Sequence, residues 1–138
     1  MKIKCLILLP FFVVYSQGAT VDVLTLTLND VDRVYSVTDC LTSASGSLEI
    51  PSAYGGLPVT SIGSEAFSNC TSLTSIIIPN TVTSIGFGAF ADCTSLASIA
   101  IPESITSIEN FVFLNCTSLT SITIPEGVTW LGWYAFSN

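Results

Sequence analysis

Histidine is absent from this 138-residue sequence, and lysine and arginine together number three. Without histidine the usual base for a serine or cysteine nucleophile is missing, which argues against triad-type hydrolysis. With a net charge of −7, nothing here neutralises a run of phosphates, so nucleic acid is excluded as a partner. Charged residues make up only 9% of the chain against 49% hydrophobic, a balance that excludes intrinsic disorder and points to one modest folded domain. Long apolar runs are missing too. The longest, residues 5–15, is interrupted by Pro10 and falls short of the roughly 20 residues that a bilayer core requires.

That same stretch reads as an export signal. Lys2 and Lys4 supply a positive start, residues 5–15 an apolar centre, and Ser16-Gln17-Gly18 a small-residue cleavage context before Ala19. Cleavage after Gly18 leaves Arg33 as the one basic residue against ten carboxylates, one minus ten giving −9. Such acidity favours solubility and disfavours anionic surfaces. It also leaves four cysteines, Cys40, Cys70, Cys93 and Cys116. An even count in an exported chain is compatible with disulfides.

Self-similarity dominates the rest. Ile78-Pro79, Ile101-Pro102 and Ile124-Pro125 recur every 23 residues, as do Val82, Ile105 and Val128, then Ile85, Ile108 and Leu131, then Phe90, Phe113 and Phe136. Between them Cys-Thr-Ser-Leu repeats from Cys70, Cys93 and Cys116, and Val59, Ile62 and Phe67 extend the series backwards. Within one unit, Ile76 and Ile78 alternate with Ser75 and Ile77, the period-two pattern of a short strand with one face inward. Pro79 ends the strand because it lacks a ladder N–H. The spacing of Ile85, Ala89 and Phe90 then fits a turn or a short helix packed on the strand. Asn69, Asp92 and Asn115 precede the cysteines and suit left-handed turn positions. One unit cannot bury its apolar residues alone, but stacked units place like on like, in ladders about 4.8 Å apart.

The pattern Leu-x-x-Ile-x-Ile-Pro-x-x-Val-Thr-Ser-Ile-Gly-x-x-Ala-Phe-x-x-Cys-Thr-Ser resembles the BspA-like class of leucine-rich repeats, found in surface proteins of bacteria and some protists. The likeness runs from Leu48 to the C-terminus. It implies a β-rich leucine-rich-repeat solenoid with one short strand plus a turn or short helix per 23-residue repeat. A small loop at Tyr54-Gly55-Gly56 bulges from the first repeat. Glu109 in place of Gly, Val112 in place of Ala and Trp130 in place of Ser are local departures. The expected organisation is a signal peptide at 1–18, an N-terminal capping hairpin at 19–47 and repeats at 48–138, the last incomplete. The hairpin rests on two alternating segments, residues 21–28 and 34–38, joined by a polar connection. Its task is to cover the edge of the first coil. At the other end the chain stops at Phe136-Ser137-Asn138, where another Cys-Thr-Ser-Leu is due. This reads as truncation or as closure by the aromatic group Trp130, Trp133, Tyr134 and Phe136. An open end favours self-association.

Chemistry is sparse. Cys70, Cys93 and Cys116 occupy equivalent positions and read as buried thiols, with disulfides between neighbouring rungs, or from Cys40 to Cys70, as the alternative. No short paired ligand motif suggests zinc. Glu103 and Glu126 stack after the prolines but fall short of a calcium shell and read as a solvated edge. Asn69-Cys-Thr71 and Asn115-Cys-Thr117 match the N-glycosylation sequon, although the turn already explains the asparagines. No catalytic residue, cofactor or metal is expected. The candidate partner-binding surface is the outward side of the repeat strands: Ser47, Glu49, Ser75, Ile77, Ser98, Ala100, Ser121 and Thr123. This strip is flat and nearly uncharged, and the resemblance implies adhesion or binding to an extracellular or cell-surface protein. The alternative is a structural fragment of a longer surface protein with no activity of its own.

Overall fold

The computed structural model describes residues 12–14, 22–40 and 42–138. Eleven strands are present among them: β1 (Phe12–Val14), β2 (Asp22–Asn29), β3 (Val34–Cys40), β4 (Ser45–Glu49), β5 (Ala53–Tyr54), β6 (Leu57–Ile62), β7 (Ser72–Ile77), β8 (Ser84–Ile85), β9 (Ser98–Ala100), β10 (Ser107–Ile108) and β11 (Trp130–Leu131). The chain winds into stacked coils in which like meets like. Ser47, Ser75 and Ser98 lie side by side, as do Leu48, Ile76 and Ile99, in a parallel sheet ordered β4-β7-β9.

A second parallel ladder forms the next face. Val-Thr-Ser-Ile segments pair as β6 with β8, Ser61 beside Ser84 and Ile62 beside Ile85, and β10 pairs with β11 in the same manner. These strands are only two residues long beyond β6, so the 3.6 spacing of the neighbouring apolar residues concealed them.

Where the sequence suggested a turn or a short helix, the chain makes successive tight turns. Ala89 N–H donates to Gly86, Ala91 to Gly88 and Cys93 to Phe90. No helix occurs among the described residues. The N–H groups left over point along the solenoid axis and donate to the next coil: Phe67 to Ala89 at 2.8 Å, Phe90 to Val112 at 2.9 Å and Phe113 to Ala135 at 2.8 Å. This third ladder satisfies the backbone of a segment that is neither helix nor strand. Asn69, Asp92 and Asn115 adopt the left-handed geometry anticipated for them, with φ of 62°, 61° and 56°.

The core is a set of side-chain columns. Phe67, Phe90, Phe113 and Phe136 stack with ring centroids 5.1, 5.5 and 5.3 Å apart, and the first three are almost wholly buried. Leu73 and Leu96, Val82 and Ile105, and Ile62, Ile85 and Ile108 form parallel columns beside them. Among the departures, Val112 is buried where the other coils have alanine, and the core accepts it; Trp130 is exposed.

At the N-terminal side β2 and β3 form an antiparallel hairpin, and β3 then joins β6 in parallel. The hairpin thus continues the second ladder, covering its first edge as a solenoid cap does. Tyr35 and Val37 from β3 enter the core. β5 and β6 fold back on each other through Gly55 and Gly56, whose φ values of 56° and 81° suit a two-residue hairpin turn. Tyr54 there meets Tyr35 edge-on at 5.2 Å. Residues 12–14 pair antiparallel with 22–24; the remainder of the expected export signal lies outside the described residues.

Candidate functional site

The candidate strip is carried by β4, β7 and β9. Because side chains alternate along a strand, burying Leu48, Ile76 and Ile99 forces their neighbours outward. Parallel pairing then sets Ser47, Ser75 and Ser98 in one row and Glu49, Ile77 and Ala100 in the next. Ile77 is 54% exposed although apolar, the strip's largest hydrophobic group. Ser121 and Thr123 are exposed one coil further along, in a segment that makes no assigned strand, so they extend the surface without the ladder. Glu49 is its one charge.

The cysteines present different chemistry. Among the described residues Cys40, Cys70, Cys93 and Cys116 are buried thiols, not disulfides. Cys93 Sγ donates to the Phe67 carbonyl at 3.0 Å and Cys116 Sγ to the Phe90 carbonyl at 3.1 Å. Burial pushes the Cys116 thiol up to about 11, and burial together with its neighbours Cys116 and Cys70 drives Cys93 higher still. Such thiols are poor nucleophiles. Glu103 and Glu126 are exposed, and among the described residues no group of three or more His, Cys, Asp or Glu side chains is placed to hold a metal ion.

One surface escaped the sequence. Phe87, Phe111 and Tyr134 form an exposed or half-exposed aromatic row on the turn face. Phe87 and Phe111 are 24 residues apart, one off the period, so a search for recurring positions passes over them. The usable signal was the interruption at Gly88, where the equivalent positions carry Glu65, Phe111 and Tyr134.

Stacked coils, the first lengthened by the hairpin at Gly55-Gly56, joined by three hydrogen-bonded ladders around columns of like side chains, define a repeat scaffold. The chain belongs to the BspA-type leucine-rich-repeat family: residues 44–138 match the BspA type leucine rich repeat region in six copies. Solved structures agree. A leucine-rich repeat protein of T. pallidum is 29% identical with a TM-score of 0.74, the match covering 83% of this chain and 64% of that one. A leucine-rich repeat protein of Bacteroides ovatus is 32% identical with the same TM-score, over 83% and 31%. A leucine rich cell surface protein of Faecalibacterium prausnitzii is 32% identical with a TM-score of 0.68, over 88% and 33%. The chain therefore spans between 31% and 64% of the length of these proteins. No curated protein matches it.

Proposed function

We propose that the chain is an exported or cell-surface module that binds a protein partner, in adhesion, through the strip formed by Glu49, Ser75, Ile77, Ser98 and Ala100 and extended by Ser121 and Thr123. The observation that carries this reading is the in-register strip itself: mostly short side chains on a parallel sheet, with an exposed isoleucine at its centre. A rigid sheet of this kind presents area at low entropic cost, and exposed apolar groups in a polar rim supply the anchor. The cell-surface relative from Faecalibacterium prausnitzii and the export-type N-terminus support an extracellular setting. No helix of the described residues is long and apolar enough to cross a membrane.

The test is a pull-down from extracellular proteins with the wild-type chain and with Ile77→Arg/Ala100→Arg/Thr123→Arg. The variant, with an unchanged circular dichroism spectrum, is expected to lose the captured partner; retained capture overturns the strip assignment.

Self-association is a second reading, favoured by one observation: Leu131 is 51% exposed, whereas Ile85 and Ile108 at the same position of inner coils are at most 2% exposed. Sedimentation velocity should show a concentration-dependent dimer that Leu131→Glu abolishes. A wild-type chain that stays monomeric at high concentration removes this reading.

A further inference from the structure

We infer that the turn face carries a second docking site, distinct from the β4-β7-β9 strip, that takes an arginine side chain from a partner protein. Positions 65, 88, 111 and 134 are equivalent in successive coils, and all four are left-handed, with φ of 58°, 58°, 62° and 55°. Three of them carry large side chains in a geometry that glycine alone adopts without steric cost. Gly88 is the exception. Its missing side chain leaves a gap between Glu65, one coil back, and Phe111, one coil on.

A Cβ at Gly88 would stand 3.5 Å from Glu65 Cγ and 3.9 Å from Ala91 Cβ. In its place lies a groove of about 260 Å³ lined by Glu65, Ser68, Phe87, Asp92 and Phe111 above Gly88. That volume is below the roughly 300–1,000 Å³ of sites for whole small molecules and suits one long side chain.

The lining selects for a guanidinium. Phe87, 44% exposed, meets Phe111 edge-on with centroids 5.3 Å apart, and Phe111 in turn stacks on Tyr134 at 5.5 Å. The aromatic wall is therefore braced from behind. Two carboxylates, Glu65 and Asp92, share the groove, and Asp92 is oriented by the Asn115 amide, which donates to its Oδ1 at 2.8 Å. No base lines the groove. A planar cation can lie on a ring while its edge donates paired hydrogen bonds to a carboxylate, which a spherical ammonium does less well. Ten acids against three bases in the whole chain draw in a basic segment at long range.

The test uses the full chain and a capped Gly-Arg-Gly-Arg-Gly peptide, with the lysine analogue for comparison. Titration followed by nitrogen-15 NMR is expected to shift the amides of Gly88, Ala91 and Asp92, and the lysine peptide to bind at least about threefold more weakly. Glu65→Gln/Asp92→Asn should weaken the arginine peptide by about tenfold, and Phe87→Ala by about threefold. Asparagine already serves the left-handed position at 69 and 115, so Asp92→Asn leaves the turn intact. Glu103→Gln/Glu126→Gln, which removes the same charge elsewhere, should leave the affinity within about twofold. Equal weakening by both double variants, shifts confined to residues around Ile77, or no binding at millimolar peptide would each overturn the site. The strip has its own test in Ile77→Arg/Ala100→Arg/Thr123→Arg, which leaves every residue of the groove unchanged.

Discussion

The thiol of Cys93 donates to the carbonyl of Phe67 in the preceding coil, 3.0 Å from sulfur to oxygen, and Cys116 repeats the contact with Phe90 one coil further on. The cysteine column thus ties each turn to its neighbour through protonated sulfur. Both thiols are desolvated and hydrogen-bonded as donors, so the fold opposes their ionisation. Native protein at pH 8 should resist iodoacetamide at Cys93 and Cys116, and urea should expose both to rapid alkylation, as counted by mass spectrometry.

The same shift makes the fold sensitive to alkali. Unfolded thiols ionise near 9.0, whereas Cys116 in the fold holds its proton up to about 11 and Cys93 beyond that. Between those values the unfolded chain releases protons that the native chain keeps. The stabilising contribution is therefore complete below pH 9 and declines as the pH rises through 11. Urea midpoints from pH 7 to 11 should fall above pH 9, and more shallowly in Cys116→Ala.

Phe90 is sandwiched between Phe67 and Phe113, with interplanar angles of 15° and 3°. Phe90→Ala should cost about 3–5 kcal/mol in chemical denaturation, since it removes a buried ring and leaves a void that two neighbours border. Phe136 has one stacking partner and is only half-buried, so Phe136→Ala should cost less.

Left-handed geometry at Asn69 permits a clean comparison. Asn69→Gly should shift stability by less than about 0.5 kcal/mol, while Asn69→Val should cost about 1–2 kcal/mol, because a β-branched side chain crowds its own backbone at positive φ. Urea midpoints at constant m-value will separate the two.

Much of this architecture could be read from residues alone, because a repeat converts sequence period into spatial register. Ile76 over Ile99, the phenylalanine column and the turn geometry of Asn69, Asp92 and Asn115 all followed from a 23-residue spacing. Partners that lie off the period did not. Ser84 and Ile85 are strand residues only because Ser61 and Ile62 pair with them across the coil, a two-residue contact with no local signature. The parallel junction of Tyr35 with Val59 joins the hairpin to a repeat of different sequence. The outward strip was legible because strand alternation dictates it. The groove at Gly88 was not, because it is made by a missing side chain between two coils.

Parallel ladders of fixed period also determine which insertions and deletions the chain tolerates. Adding or removing 23 residues within the repeats preserves the pairing of Ser75 with Ser98 and of every column beside it. One residue added inside β7 would instead turn Ile76 toward solvent and Ile77 toward the core. The hairpin turn at Gly55-Gly56 stands outside the parallel ladders, and a Cβ there meets nothing within 4 Å. The protein's length is thus free to change in whole coils, or at that turn, and constrained nearly everywhere else.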